Sequence, residues 1–292
     1  MNRATSIGKL TRSTLLILVV ALILGGCVTL DRRELARDVA SDGGFQSEII
    51  KTVHFDLQSY YRFNNTKKVV TIYLEGDGFA WMNRHTLSKD PTPRNPVALR
   101  LATIDPAANV AYIGRPCQYV QKSQRRNCNS GYWSKARFAN EVVVATNQAI
   151  EQLKKKARAS SVHLVGYSGG GGVAALVAAR REDVESIRTV AGNLDHVTFT
   201  SHHKVTPLSD SLNPMDEAQK IDKIAQIHFS GSRDKIVPTY IADGFVAAQR
   251  AKACSKVVSV AGMAHGGEWE KAWPEMLQLS LPKCNITNSK EQ

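Results

Sequence analysis

Cysteine is scarce in this sequence, with five among 292 residues. No two of these cysteines have only two residues between them, the spacing typical of zinc-binding loops, so we predict no metal site. The Gly-x-Gly-x-x-Gly pattern is missing after the first predicted strand, and no Lys-Ser or Lys-Thr pair ends the glycine-rich run near position 170. Both absences argue against a loop that binds nucleotide phosphates, and we predict no cofactor.

Linkers and repeats are missing as well. No Pro-rich or Ser-rich segment and no internal repeat interrupts the chain after residue 46. The length that remains, about 250 residues, is typical of one α/β domain with an inserted cap. We therefore predict a single domain over residues 47–284, followed by a short tail over residues 285–292.

Basic residues outnumber acidic residues by 38 to 26, which gives a formal net charge of +12. Such a surplus is typical of proteins that bind nucleic acid or lie against anionic lipid and cell-envelope polymers. The basic residues are scattered, apart from Lys154-Lys155-Lys156, which we interpret as a solvated helix end. Together with the export signal described next, this favours an envelope surface and predicts no nucleic-acid partner.

The first 26 residues have the features of a bacterial export signal. Arg3, Lys9 and Arg12 make the N-terminus basic, and the apolar run over residues 15–24 is too short to cross a bilayer comfortably. Residues 27–46 are charged and contain glycine, which predicts a tether with at most one helical turn.

Residues 24–27, Leu-Gly-Gly-Cys, resemble a bacterial lipobox. The resemblance implies cleavage before Cys27 and attachment of lipid to that cysteine, and two or three acyl chains give a stable anchor. In lipoproteins an aspartate directly after the lipidated cysteine favours retention in the inner membrane. This sequence has Val28 there, which indicates an outer-membrane lipoprotein that faces the periplasm or the surface. An uncleaved anchor and an ordinary signal peptide are the alternatives.

Four cysteines follow Cys27, and an exported protein can form disulfides. Four cysteines allow three pairings. We prefer Cys117–Cys128, which closes one polar loop, and Cys254–Cys284, which ties the last helix to the helix before the last strand.

Short apolar segments alternate with helical segments along the mature chain, which predicts a mostly parallel, buried sheet flanked by helices. In such sheets, sites form at the carboxyl ends of the strands. Residues 49–57 alternate in polarity and predict an antiparallel edge strand. The other predicted strands are 68–74, 109–113, 162–166, 187–191, 227–230 and 257–260, and the predicted helices are 135–156, 172–181, 238–253 and 268–279.

Gly166-Tyr167-Ser168-Gly169-Gly170 fits the pattern Gly-x-Ser-x-Gly between a predicted strand and an Ala-rich helix. In that motif the serine occupies a strained strand-to-helix turn, and the flanking glycines avoid clashes with neighbouring backbone. The N–H of the next residue, Gly169, can stabilise a developing oxyanion. The alternative is a glycine-rich turn that only packs a helix on a sheet.

Two further residues follow strand ends in a regular order. Asp234 comes after the strand at 227–230, and His265 lies in a glycine-flanked loop after the last strand. The chain order nucleophile, acid, histidine resembles the α/β-hydrolase superfamily over residues 69–279. The resemblance implies the α/β-hydrolase fold, with Ser168 as nucleophile, His265 as general base and Asp234 as the acid that orients the imidazole.

Two features of this resemblance leave alternatives open. Asp195 follows the preceding strand and is the rival acid, while Asp234 could instead cap a helix. The loop over residues 75–79, Glu-Gly-Asp-Gly-Phe, occupies the place of the superfamily's His-Gly motif, so the N–H of Asp77 or Gly78 would complete the oxyanion hole with Gly169. Because Glu75 and Asp77 would oppose a developing anion, we expect their carboxylates to point away or to bind Lys or Arg.

Residues 193–222 interrupt the alternation of strands and helices and are predicted to form a cap over the site. The leading interpretation is a lipid-anchored serine hydrolase that cleaves an ester-type bond in a small molecule or an acylated envelope component. A peptidase or amidase on the same scaffold is the second interpretation, and a non-catalytic envelope-binding module is the third.

Overall fold

A computed structural model describes residues 31–64, 69–251 and 254–284. The predicted signal segment, the predicted lipidation site Cys27 and the tail over residues 285–292 lie outside the described residues. The chain divides into two units after Asp31, and the description below concerns the unit that begins at Arg32. Within the described ranges, no helix combines the length and the apolar character that a membrane crossing requires.

The main sheet has eight strands in the order β1-β2-β6-β3-β7-β8-β9-β10. The six strands from β6 to β10 in this order are parallel, and β1 and β2 add an antiparallel edge. Strands β4 and β5 form a separate two-stranded ribbon. The strands are β1 (Gln46–Lys51), β2 (Asp56–Phe63), β3 (Val69–Leu74), β4 (Trp81–Asn83), β5 (Thr86–Leu87), β6 (Asn109–Ile113), β7 (Ser161–Tyr167), β8 (Val184–Val190), β9 (Ala225–Gly231) and β10 (Ser255–Val260).

Helices cover both faces of this sheet, as the alternation of segments predicts. Leu176 and Phe245 belong to the apolar cluster on one face, and Leu99 and Trp273 belong to the cluster on the other. Burial of apolar surface on both faces is the main driving force for folding in such a three-layer arrangement. The helices are α1 (Arg32–Asp42), α2 (Val97–Thr103), α3 (Asn140–Lys156), α4 (Gly169–Ala178), α5 (His196–His203), α6 (Thr239–Ala247) and α7 (Trp269–Gln278).

The first elements of the domain differ from the expectation. Residues 32–42, predicted as part of a tether, form helix α1, because Ala36 and Ala40 present small apolar side chains that become buried. The predicted single strand over residues 49–57 is instead a hairpin of β1 and β2. Its turn is fixed by Thr52, whose hydroxyl accepts the N–H of Phe55 and donates to the carbonyl of the same residue.

The structure joins the cysteines in the preferred pairing. Cys117 is bonded to Cys128 with a Cα–Cα distance of 5.7 Å, and Cys254 to Cys284 with a Cα–Cα distance of 4.7 Å. Both distances lie within the range of about 4.4–6.8 Å that a disulfide allows. The first bridge closes the loop after β6, and the second links the start of β10 to the segment after α7.

Candidate active site

The parallel strands bring several loops to one edge of the sheet, and Ser168 lies there between β7 and α4. Its φ of 51° and ψ of −121° place a non-glycine residue in a strained region of backbone conformation. Three backbone hydrogen bonds stabilise this conformation. The Ser168 N–H donates to the carbonyl of Val190, and the Ser168 carbonyl accepts the N–H groups of Gly171 and Asn193.

The two outer glycines of the Gly-x-Ser-x-Gly motif are required by close backbone approach. A Cβ on Gly166 would lie 2.3 Å from the carbonyl oxygen of Gly170. A Cβ on Gly170 would lie 2.2 Å from the carbonyl oxygen of Leu74 in β3. The start of α4 therefore packs directly on the strands, and the serine is left at the exposed corner of the turn.

His265 connects Ser168 with Asp234. Its Nε2 lies 3.0 Å from Ser168 Oγ, and its Nδ1 lies 2.8 Å from Asp234 Oδ2. The Asp234 side chain is fully buried, whereas 18% of the His265 side chain is exposed toward the cavity. An imidazole with a carboxylate behind it and a hydroxyl in front can accept the hydroxyl proton as the oxygen attacks a carbonyl.

Asp234 both caps a turn and orients the histidine. Its Oδ1 accepts the N–H groups of Ile236 and Val237, each at 2.8 Å. These bonds hold the carboxylate so that Oδ2 faces the imidazole of His265. The alternative role, capping of the helix that follows, is not seen, because the N-cap of α6 is Pro238 without a side-chain hydrogen bond.

Asp195, the rival acid, is engaged elsewhere. It is the N-cap of α5, and its Oδ1 accepts the N–H groups of Val197 and Thr198 and an amide hydrogen of Asn213. Burial raises the pKa of Asp195, but the hydrogen bonds from Thr198 and Asn213 outweigh this effect and leave the pKa below its ordinary value. Asp234, and not Asp195, is the carboxylate at His265.

The predicted oxyanion loop after β3 lies against the serine. A Cβ on Gly76 would be 3.2 Å from Ser168 Cβ, and a Cβ on Gly169 would be 2.1 Å from Asp77 Oδ1. Gly169 is the first residue of α4, so its N–H has no acceptor within the helix. The structure thus brings Gly169 and the loop that contains Asp77 close to Ser168 and to each other.

The Asp77 carboxylate is neutralised by two arginines. Its Oδ2 lies 2.7 Å from Arg137 Nη1, and its Oδ1 lies 3.2 Å from Arg115 Nη1. Burial raises the pKa of Asp77, but the two guanidinium groups outweigh that effect and leave it below its usual value. The carboxylate is therefore ionised and paired, which meets the expectation that it must not oppose a developing anion.

Glu75 points into the protein. Its Oε1 accepts the N–H groups of Gly76, at 2.9 Å, and Ala98, at 3.4 Å, and its Oε2 accepts the hydroxyl of Tyr112 at 3.1 Å. Burial raises its pKa to about 7, an effect that these hydrogen bonds only partly counter. The side chain thus ties the oxyanion loop to the start of α2.

Replacing Glu75 by glutamine is expected to remove a pH dependence of stability. The carboxyl pKa is about 7 in the folded protein against an ordinary value of 4.5, so the folded state keeps a proton that the unfolded state releases between these values. Stability from this group therefore falls as pH rises from 4.5 to 7, on the order of 1–3 kcal/mol in total. Urea unfolding of both proteins across this window measures the difference, and parallel profiles would contradict the assignment.

The carbonyl of His265 receives two hydrogen bonds that the sequence did not reveal. The Tyr167 hydroxyl donates to it at 3.0 Å, and Trp269 Nε1 donates at 2.8 Å. The Tyr167 ring also lies 5.5 Å from the imidazole, centroid to centroid. Tyr167, the variable residue of the serine motif, therefore holds the loop that carries His265. The only signal for this role in the sequence is that Tyr167 directly precedes Ser168.

Replacing Tyr167 by phenylalanine is expected to lower kcat/KM roughly fivefold with little change in Tm. The variant keeps the ring but loses one of two hydrogen bonds, worth about 1 kcal/mol. Ester hydrolysis by wild type and variant measures the effect. Tyr61→Phe, on strand β2, is the matched control, because among the described residues this hydroxyl hydrogen-bonds only with Lys156. Equal rates for all three proteins would contradict a positioning role.

A cavity of about 470 Å³ opens above Ser168 and His265. The predicted cap contributes Asn193 and Phe199, while much of the cap packs on the core through buried residues such as Ile221. The ribbon of β4 and β5 contributes Trp81 to the lining of the cavity. In the described part of the chain, no group of three or more His, Cys, Asp or Glu residues is arranged to hold a metal ion.

Several solved structures resemble this chain over most of its length. An α/β serine hydrolase homologue of Coxiella burnetii is 17% identical with a TM-score of 0.54, covering 79% of this chain and 93% of its own. An esterase of Pyrococcus furiosus is 12% identical with a TM-score of 0.56, covering 81% and 92%. A puromycin-hydrolyzing peptidase of Mycobacterium tuberculosis is 12% identical with a TM-score of 0.59, covering 80% of this chain but 37% of its own.

No protein-family model and no curated protein sequence matches the chain. At identities of 12–17% the structural likeness concerns the fold. The mostly parallel eight-stranded sheet, the helices on both faces and these likenesses together show that the chain has the α/β-hydrolase fold.

Proposed function

We propose that this protein is a serine hydrolase that cleaves an ester-type bond through an acyl-enzyme intermediate. The observation that carries the proposal is the continuous chain of contacts from Ser168 Oγ to His265 and on to Asp234, at 3.0 and 2.8 Å. The loops that follow three separate strands, β7, β9 and β10, supply these three residues.

The proposed reaction begins with attack of Ser168 Oγ on the ester carbonyl carbon. His265 Nε2 takes the hydroxyl proton, and Asp234 stabilises the resulting imidazolium. In this reaction the N–H groups of Gly169 and Asp77 bind the oxyanion of the tetrahedral intermediate. His265 then gives its proton to the departing alcohol, which leaves the acyl group on Ser168.

The second half of the reaction repeats these roles with water. His265 removes a proton from a water molecule that attacks the acyl carbonyl, and the same two N–H groups bind the oxyanion. Return of the proton to Ser168 Oγ releases the carboxylic acid and regenerates the enzyme. The two steps together consume one ester and one water molecule and release one alcohol and one carboxylic acid.

Cleavage of a peptide or amide bond is the second candidate function. One structural neighbour is described as an esterase and another as a puromycin-hydrolyzing peptidase, so the scaffold accommodates both types of bond. Initial rates on 4-nitrophenyl esters and on peptide 4-nitroanilides, with Ser168→Ala as the control, distinguish the two. Hydrolysis of anilides at rates equal to those of esters would overturn the ester assignment, and hydrolysis of neither would favour a binding role.

We also propose that the enzyme is attached to the outer membrane by lipid on Cys27. The support comes from the sequence, namely the basic start, the short apolar run and the Leu-Gly-Gly-Cys segment over residues 24–27. Mass spectrometry of the N-terminal peptide tests this proposal. A diacylglyceryl group on Cys27 is expected, and a peptide that retains residues 1–26 would contradict it.

A further inference from the structure

Arg94 is a cation on the cavity wall for which the described residues provide no carboxylate partner. Its side chain is exposed, and its guanidinium carbon lies 4.0 Å from the centroid of the Phe79 ring. Both residues line the cavity that contains Ser168. Stacking on an aromatic ring holds the planar guanidinium in place while its N–H groups stay free to bind a ligand.

The acids around the cavity do not neutralise Arg94. Asp77 is shared by Arg115 and Arg137, so two cations already face one carboxylate. Asp234 lies behind the imidazole with a fully buried side chain. Glu75 is buried and hydrogen-bonded to backbone N–H groups and a tyrosine hydroxyl. The cavity therefore presents positive charge to whatever enters it.

A second polar group that lines the cavity also lacks a partner. Asn193 lines the cavity beside the serine, because its own N–H donates to the carbonyl of Ser168. The residue is 2% exposed, and its Oδ1 is buried with no hydrogen-bond partner within the described residues. A buried amide oxygen without a partner costs free energy, which only a ligand that donates a hydrogen bond would recover. A carboxylate or an ester oxygen only accepts hydrogen bonds and cannot bind this oxygen, so Arg94 is the group available to an anion.

We propose that the substrate of Ser168 is an ester that also carries a carboxylate, and that Arg94 binds this carboxylate. The inference rests on the proposed function and adds the class of substrate. The planar guanidinium matches a carboxylate in a two-bond geometry. Apolar walls formed by Phe79, Trp81 and Phe199 hold the hydrocarbon part of the ester.

Matched pairs of esters test this proposal and locate the carboxylate. The first pair is 4-nitrophenyl hexanoate and the mono-4-nitrophenyl ester of adipic acid, which have acyl groups of equal length and differ in a terminal methyl or carboxylate. The second pair is the hexanoyl esters of 4-ethylphenol and of 4-hydroxyphenylacetic acid, which place the same change on the alcohol. The measured quantity is the ratio of kcat/KM for the charged ester over its neutral partner.

The wild-type ratio is expected to exceed that of Arg94→Gln by about tenfold for one of the two pairs. Arg94→Glu is expected to lower the ratio further, because it places like charges together. Arg180→Gln removes the same charge from an exposed position after α4 and controls for net charge. The ratio should fall as salt is added for wild type and change less for Arg94→Gln.

Ratios that are equal in wild type and Arg94→Gln for both pairs would overturn the inference while leaving the proposed function intact. If no ester is hydrolysed, the proposed function fails, and binding decides the inference separately. In that case the Kd for monoethyl adipate is measured by titration calorimetry for two proteins, the Ser168→Ala variant and the double variant that also carries Arg94→Gln. Binding that needs Arg94 would support the carboxylate site, and equal or undetectable binding by both proteins would overturn it.

Discussion

Replacement of Ser168 by alanine is expected to lower kcat for ester hydrolysis by about 10⁴-fold or more. The variant lacks the oxygen that forms the acyl-enzyme, so only the oxyanion donors and substrate binding remain. The backbone at φ 51° is held by hydrogen bonds from its own N–H and carbonyl to Val190, Gly171 and Asn193, and alanine keeps all of them. The fold, followed by circular dichroism and Tm, should therefore persist while activity is lost.

The matched control is Ser209→Ala, in which an exposed hydroxyl that contacts only Asp210 is removed. Its kcat should equal that of the wild type. Rates are measured with a soluble 4-nitrophenyl ester under conditions in which spontaneous hydrolysis is subtracted. A Ser168→Ala rate within tenfold of the wild type would show that another residue carries the reaction.

Replacement of Asp234 by asparagine is expected to lower kcat/KM by about 10³- to 10⁴-fold. The amide oxygen can still accept the N–H groups of Ile236 and Val237, but the amide nitrogen then faces His265 Nδ1. A donor at that position stabilises the imidazole tautomer with its proton on Nε2, which cannot accept the proton of Ser168. The loss should appear mainly in kcat, measured with the same ester.

The companion variant is Asp195→Asn, which separates the two acids that the sequence left open. Asparagine is also a good N-cap, so α5 should keep its start, and kcat/KM should change less than about threefold. A larger loss in Asp195→Asn than in Asp234→Asn would contradict the geometry in which Asp234 Oδ2 lies 2.8 Å from the imidazole.

The residues that the sequence predicts well are those with a local signal. The serine turn is specified by five consecutive residues, and its outer glycines, Gly166 and Gly170, are required where the start of the helix packs on the strands. The order of Ser168, Asp234 and His265, each placed after a predicted strand, led to the same arrangement that the structure contains. Strands of β-branched residues such as β3 were found with nearly correct bounds.

The residues that the sequence did not predict depend on contacts between distant segments. Arg115 and Arg137 reach Asp77 across 38 and 60 positions of the chain. Asp195 and Asp234 both follow strands, and only the three-dimensional arrangement shows which one faces the histidine. Helix α1 was not predicted, because its many charged residues are typical of a solvated tether, whereas its packing depends on two small buried residues, Ala36 and Ala40.

The most direct test of the account is the location of a covalent adduct. Wild-type protein is treated with a fluorophosphonate, digested, and the modified peptide is identified by mass spectrometry. The proposed mechanism predicts one adduct on Ser168, formed much more slowly in His265→Ala and absent in Ser168→Ala. An adduct on another residue, or undiminished labelling of Ser168→Ala, would contradict the claim that this serine is activated by its histidine neighbour.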